Sequence, residues 1–119
     1  MLPKVVVLDE NICDKLANRL FDLGCHVRTC SSMSSALFKL QHESLRAVFF
    51  CCDHKDIDSV ELLLNIRDID RHIPLVLVDC PIKKREHQWV LNQPATFSIN
   101  TSRLSTDRLR KILFQVAKG

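Results

Sequence analysis

The side chains best able to do chemistry in this sequence are carboxylates and thiols that directly follow buried, strand-like runs. They are Asp9, Glu10, Cys51, Cys52 and Asp79. The carboxyl ends of parallel strands meet at one edge of a sheet, so such residues are brought together there. Carboxylates are the oxygen ligands that Mg²⁺ prefers, while a thiolate would offer a nucleophile or a redox centre.

The elements that would position these residues are apolar runs that alternate with runs of helical period. We expect strands at Lys4–Leu8, His26–Cys30, Arg46–Cys51, Pro74–Val78 and Ala95–Ile99. Predicted helix caps are Asn11, Ser31 or Ser32, Asp58, and Thr101 or Ser102. A short helix is expected at Lys83–Leu91. Five strand–helix units predict an α/β fold, a single parallel sheet with helices on both faces.

Composition limits the function classes. The 119 residues are 46% apolar and 26% charged, which predicts one globular domain over residues 1–119. We expect no signal peptide and no membrane span, hence a cytoplasmic protein. With only two glycines, a nucleotide-binding P-loop or Rossmann fingerprint is excluded. Because the chain has a full hydrophobic core and no export signal, the six cysteines are expected to be reduced and mostly core residues. No Cys/His cluster shows zinc-ligand spacing, and four histidines are expected at the surface or boundary: His26, His42, His72 and His87.

Three segments, in their order and spacing, resemble the receiver domain of bacterial response regulators. They are KVVVLDEN (4–11), AVFFCCDHKDIDSVELLLNIR (47–67) and IPLVLVDC (73–80). The resemblance implies a three-layer (βα)5, flavodoxin-like fold with strand order 2-1-3-4-5. It also implies that Asp9 and Glu10 match the family's metal-binding carboxylates, which makes Mg²⁺ the one cofactor to consider.

The same resemblance indicates that the phosphorylation site is degenerate. In the family, an aspartate ends the third strand and a second one opens the third helix seven residues later. Placing the second on Asp58 puts Cys51 at the acceptor position, and a thiol does not form an acyl phosphate. The alternative acceptor, Asp53, requires a loop two residues shorter.

The other positions of the family's site also differ in this chain. Asp79 replaces the Thr or Ser after the fourth strand, and Phe97 takes the place of the switch aromatic. Asn100 and Thr101 replace a Lys–Pro pair. An anion at position 79 would repel a phosphoryl group, and Asn100 lacks the charge that would pair with one. Asp9, Glu10 and Asp79 would then line an acidic pocket.

These features favour a non-phosphorylatable regulatory domain over an enzyme. We expect it to act by protein contact, as the N-terminal domain of a longer sigma-54-type transcriptional regulator. A homodimer and a linked effector domain are the expected partners, with DNA bound only through the effector. The interface is expected around Trp89, Lys84, Arg108 and Lys111. Alternatives are a receiver phosphorylated on Asp53 with Mg²⁺ and a thiol redox sensor using Cys51.

Overall fold

The structure is a computed structural model that describes residues 2–9, 14–52, 57–81 and 83–114. Its strands are β1 Lys4–Leu8, β2 His26–Cys30, β3 Ala47–Cys51, β4 Leu75–Val78 and β5 Thr96–Ile99. Its helices are α1 Asp14–Asp22, α2 Met33–His42, α3 Ser59–Ile69, α4 Arg85–Leu91 and α5 Thr106–Phe114. The predicted cap Asn11 lies outside the described residues.

All strand pairs of the sheet are parallel, in the order β2-β1-β3-β4-β5, which confirms the predicted topology. The central strands are continuous runs of Val, Leu and Phe because helices cover both of their faces. The register pairs Leu8 with Cys30 and Phe50, and Cys51 with Val78. The carboxyl ends of β1, β3 and β4 are therefore nearly level.

Two apolar layers pack against the sheet, one on each face. Phe50 belongs to the layer beneath α2, α3 and α4, and Phe49 to the layer beneath α1 and α5. Both rings are almost fully buried, which stabilises the fold by about 2–3 kcal/mol for each. The same alternation sends Cys51 into the α1/α5 layer and Cys52 against the α2/α3/α4 layer.

Two of the predicted helix caps, Ser32 and Asp58, are confirmed by hydrogen bonds from backbone amides in the first turn of the helix. Ser32 Oγ accepts from the Ser35 amide at 3.2 Å, and Asp58 Oδ1 accepts from the Val60 amide at 2.8 Å. The predicted start of the last helix is wrong. Thr101–Arg103 form a single 3₁₀ turn, and α5 begins at Thr106.

Two charged side chains join elements near the amino-terminal ends of the strands. The Arg67 guanidinium donates four hydrogen bonds, of 2.7–3.3 Å, to carbonyls between residues 70 and 95. Burial lowers the pKa of Arg67, against a smaller opposing effect of Asp70. Glu43 lies 2.7 Å from Arg28 and 3.5 Å from Lys4. None of the described helices combines the length and the apolar character that crossing a bilayer requires.

Candidate functional site

The candidate site is the edge of the sheet where β1, β3, β4 and β5 end. Asp9 follows β1 directly, is 7% exposed, and donates its amide to the Cys30 carbonyl at 3.0 Å. Its predicted partners Glu10 and Asp53 lie outside the described residues. The described part of the site otherwise comprises the ends of β3, β4 and β5.

Cys51 is the last residue of β3 and lies beside Val78 of β4. It is 5% exposed and packs in the apolar layer beneath α1 and α5. Its burial follows from the strand's alternation, because Ala47 and Phe49 face the same layer. The strand end thus presents a buried sulfur in a central position of the edge.

Asp79 follows β4 and binds the loop after β5 with both of its carboxylate oxygens. Thr101 donates its amide to Oδ1 at 2.8 Å and its hydroxyl to Oδ2 at 2.6 Å. The Asp79 amide donates to the Ile99 carbonyl at 3.0 Å. Its φ of 54° lies in the left-handed region, which Asp tolerates better than most residues. The carboxylate therefore fastens the end of β4 to the end of β5.

The two remaining positions of interest lie on and after β5. Asn100 Oδ1 accepts from the amide of Ser102 at 2.9 Å and from its hydroxyl at 2.7 Å, and so caps the 3₁₀ turn. Phe97 is half-buried and packs against the α1/α5 layer. Asn100 thus has a local structural role, which explains why α5 starts later than predicted.

A cysteine–histidine group lies on the other face of the same edge. Cys52 follows β3 and Cys80 lies two residues after β4; a disulfide joins them, with a Cα–Cα distance of 4.9 Å. His87 on α4 is buried, with Nε2 3.8 Å from Cys52 Sγ. The prediction of reduced cysteines is therefore wrong for Cys52 and Cys80, and the predicted surface or boundary position of His87 is wrong because the side chain is buried.

Sequence reasoning missed this group because its members are 28 and 35 residues apart along the chain. The sequence nevertheless contains a feature that favours the pairing of Cys52 with Cys80. The predicted strand order places β3 beside β4, and Cys52 and Cys80 follow those two strands closely. His87 could not be placed from the sequence, because the direction of a short helix such as α4 depends on its tertiary contacts.

The described residues do not fit a Mg²⁺ site. Mg²⁺ requires oxygen ligands in nearly octahedral geometry, and Cys51 offers sulfur at the centre of the edge. Both oxygens of Asp79 already accept hydrogen bonds from Thr101. Within the described ranges, the only group of at least three closely spaced His, Cys, Asp or Glu ligands is the cysteine–histidine group.

The surface formed by α4, β5 and α5 carries the residues predicted for an interface. Trp89 is 43% exposed, and Lys84, Arg108 and Lys111 are also exposed. Beside them, a groove of about 560 Å³ has Phe97, Ile112 and Phe114 among its lining residues, together with the side chains of Arg108, Arg110 and Lys111. The groove is thus lined by both apolar and basic side chains.

Comparison with known proteins finds similarity in structure. No family model matches the sequence. No curated protein matches it either. A CheY-like receiver domain from Methanospirillum hungatei JF-1 aligns with a TM-score of 0.78 and 19% identity, covering 100% of both chains. The receiver domain of the sensor histidine kinase PA1611 from Pseudomonas aeruginosa PAO1, solved with a magnesium ion coordinated in its active-site cleft, gives a TM-score of 0.75, 14% identity and 97% coverage of both chains.

NtrX from Brucella abortus, solved in complex with ADP, aligns with a TM-score of 0.76 and 23% identity. The match covers 97% of this chain but only 28% of the NtrX chain. At these identities the likeness concerns the fold, and the strand order β2-β1-β3-β4-β5 agrees with it. The chain has the fold of a response-regulator receiver domain.

Proposed function

We propose that this domain is a receiver-like regulatory domain that acts by protein contact and is not phosphorylated at the end of β3. The observation that carries the proposal is Cys51. It is the last residue of β3, is 5% exposed, and lies beside β4 in an apolar layer. Acyl phosphate formation needs a carboxylate, and a buried thiol at this position offers none.

The bonds of Asp79 support the same proposal. In the family that the sequence resembles, a hydroxyl after β4 would bind a phosphoryl group and a lysine after β5 would pair with it. Here the Asp79 carboxylate accepts both hydrogen bonds of Thr101, and Asn100 caps the adjoining turn. A fixed anion therefore holds together the two loops that a phosphoryl group would otherwise bridge.

We assign protein contact to the surface of α4, β5 and α5. An exposed tryptophan is a common anchor of interfaces, and Trp89 keeps 43% of its surface accessible. The neighbouring basic side chains and the groove lined by Phe97 and Phe114 extend this surface. The proposed occupant is a second copy of the domain, which makes a homodimer.

The wider setting is proposed by analogy with NtrX, whose chain extends well beyond the part that aligns. In this view, the domain is cytoplasmic, regulatory and without catalytic activity, and belongs to a bacterial transcription regulator of the sigma-54 type. A linked effector domain would bind DNA. The receiver-like domain would change the effector through contact.

The test of this proposal is the mass of the domain after incubation with acetyl phosphate and Mg²⁺. We expect no gain of a phosphoryl group. A stoichiometric gain that the Asp53→Asn variant loses would overturn the proposal and establish Asp53 as the acceptor. A Cys51→Ala variant is the matched control, because it should also show no gain.

Thiol chemistry at Cys51 has less support than the contact function. The two cysteines that the structure joins are Cys52 and Cys80, and Cys51 faces the opposite layer. Any thiol chemistry of this edge is therefore expected on the α2/α3/α4 side.

A further inference from the structure

Cys52, Cys80 and His87 come from three different elements and converge at the edge of the sheet. Their candidate ligand atoms, two sulfurs and one ring nitrogen, all lie within 4.8 Å of one another. Cys80 and His87 are 8% and 7% exposed, and Cys52 is half-buried. We propose that, once a thiol reductant has supplied the two electrons and two protons that convert the disulfide into two thiols, this group binds Zn²⁺ through both sulfurs and Nε2 of His87, with release of the two thiol protons.

The imidazole of His87 is already held in the form that a metal requires. Its Nδ1 lies 2.8 Å from the carbonyl oxygen of Pro81. A carbonyl oxygen can only accept, so Nδ1 carries the proton and the lone pair of the neutral ring is on Nε2. Nε2 faces Cys52 Sγ at 3.8 Å. Metal-binding imidazoles commonly donate their other ring N–H to a backbone carbonyl in this way, which fixes the orientation of the ring.

The distances fit a tetrahedral zinc ion. Zinc–sulfur and zinc–nitrogen bonds of about 2.3 and 2.0 Å at a tetrahedral angle put the two ligand atoms roughly 3.5 Å apart. The observed separation of Cys52 Sγ and His87 Nε2 is 3.8 Å. The two sulfurs, once reduced, must move to about 3.8 Å from each other. The proposed site requires rotation about the Cα–Cβ bonds of Cys52 and Cys80 to reach this separation.

Charge also favours Zn²⁺ at this position. Each thiol loses its proton when it binds the metal. The negative charges of the two thiolates then balance the two positive charges of Zn²⁺. A neutral group avoids the large cost of burying a charge. Sulfur ligands select zinc over Mg²⁺, which prefers oxygen. Three protein ligands leave the fourth position to water.

A metal here would join the loops after β3 and β4 to α4. That helix also carries Trp89, so Zn²⁺ would fix the position of the proposed contact surface, a consequence that rests on the proposed function. Binding itself does not depend on phosphorylation or on dimer formation. The metal site and the proposed function can therefore fail separately.

The test is Zn²⁺ binding by the reduced domain without oxygen, measured in competition with a chromogenic chelator. We expect one Zn²⁺ per chain for the reduced protein and none for the disulfide form. Co²⁺ in place of Zn²⁺ should give a thiolate charge-transfer band and tetrahedral ligand-field bands. Losing a group that only orients a metal ligand lowers the affinity for the metal about 10- to 100-fold. Removing a ligand itself should therefore lower it at least about 100-fold.

The ligand variants are Cys52→Ser, Cys80→Ser and His87→Gln. Matched controls are Cys51→Ala, which is adjacent in sequence but faces the other layer, and His42→Gln, whose Nδ1 also contacts a carbonyl. Affinity lost in the three variants and kept in the controls supports the site. No stoichiometric binding by the reduced protein, an unchanged affinity in His87→Gln, or an equal loss in a control overturns it.

A second measurement uses only the unsubstituted protein, so it does not depend on whether the variants fold. Zn²⁺ should protect Cys52 and Cys80 of the unsubstituted protein from alkylation at least tenfold more than Cys30, as mapped by mass spectrometry of peptides. Protection confined to the pair supports the site. Equal alkylation of the pair with and without Zn²⁺ overturns it.

Discussion

Asp79 holds the ends of β4 and β5 together, and its replacement should cost stability in a graded way. Asp79→Ala removes both bonds from Thr101 and keeps a side chain at a φ of 54°. These bonds are exposed, so we assign each about 1 kcal/mol, to which Ala adds up to about 1 kcal/mol of backbone strain relative to Asp. Unfolding free energy should therefore fall by about 2–3 kcal/mol.

Two further variants at this position separate hydrogen bonding from strain. Asp79→Gly loses the same bonds but removes the strain, so we expect a loss of about 1–2 kcal/mol. Asp79→Asn keeps a side chain that favours positive φ and can still accept from the Thr101 amide, so it should lose less than about 1 kcal/mol.

The assay is urea unfolding followed by circular dichroism. Thr101→Val is the matched control, because it removes only the hydroxyl donor and should cost about 0.5–1 kcal/mol. Combined with Asp79→Ala, it should add almost nothing, since its partner is already gone. The reasoning is refuted if Asp79→Ala lies within about 0.5 kcal/mol of the parent protein, or if the two changes are additive.

Three further outcomes follow from the charged and exposed residues. The Arg28 hydrogen bond holds the pKa of Glu43 below its ordinary value of 4.5, so this pair stabilises the fold above pH 4.5 and loses its effect as pH falls through the lowered pKa. Glu43→Gln should therefore be less stable than the parent protein at neutral pH, and the two should become equally stable in acid. Thermal unfolding of both proteins as a function of pH checks this, and a stability difference that does not change with pH contradicts it. Arg67→Met should lower the free energy of unfolding in urea by about 2–4 kcal/mol, because the four hydrogen bonds from the guanidinium to backbone carbonyls are lost. The exposed Arg71→Met is the control, and equal losses refute the assignment. Trp89→Ala should weaken self-association at least tenfold in analytical ultracentrifugation, whereas Phe38→Ala, exposed on α2, should not; an equal effect of both would exclude the proposed interface.

Much of the fold could be predicted because it depends on local pattern. Val5–Leu8 and Leu75–Val78 are apolar without interruption, as strands covered on both faces must be. Ser32 and Asp58 sit where a helix needs an acceptor, and both caps form. Strand order came from the resemblance rather than from the pattern, and the structure has the same order.

Other features depend on contacts between residues distant in sequence. The start of α5 was misplaced because Asn100 and Thr101 form bonds with Ser102 and Asp79 that end β5 with a 3₁₀ turn. The pairing of Cys52 with Cys80 depends on the conformation of the two loops that follow β3 and β4. Neither property follows from a local pattern. The strand order places Cys52 near Cys80, but the bond between them is seen only in the assembled structure.

If the domain works by contact, independently of phosphorylation, a phosphodonor should leave its association unchanged. Sedimentation of the domain before and after incubation with acetyl phosphate and Mg²⁺, over a range of protein concentrations, measures this. We expect self-association to be the same in both samples. A change in association that appears only after the phosphodonor is added, and that Asp53→Asn abolishes, would contradict it.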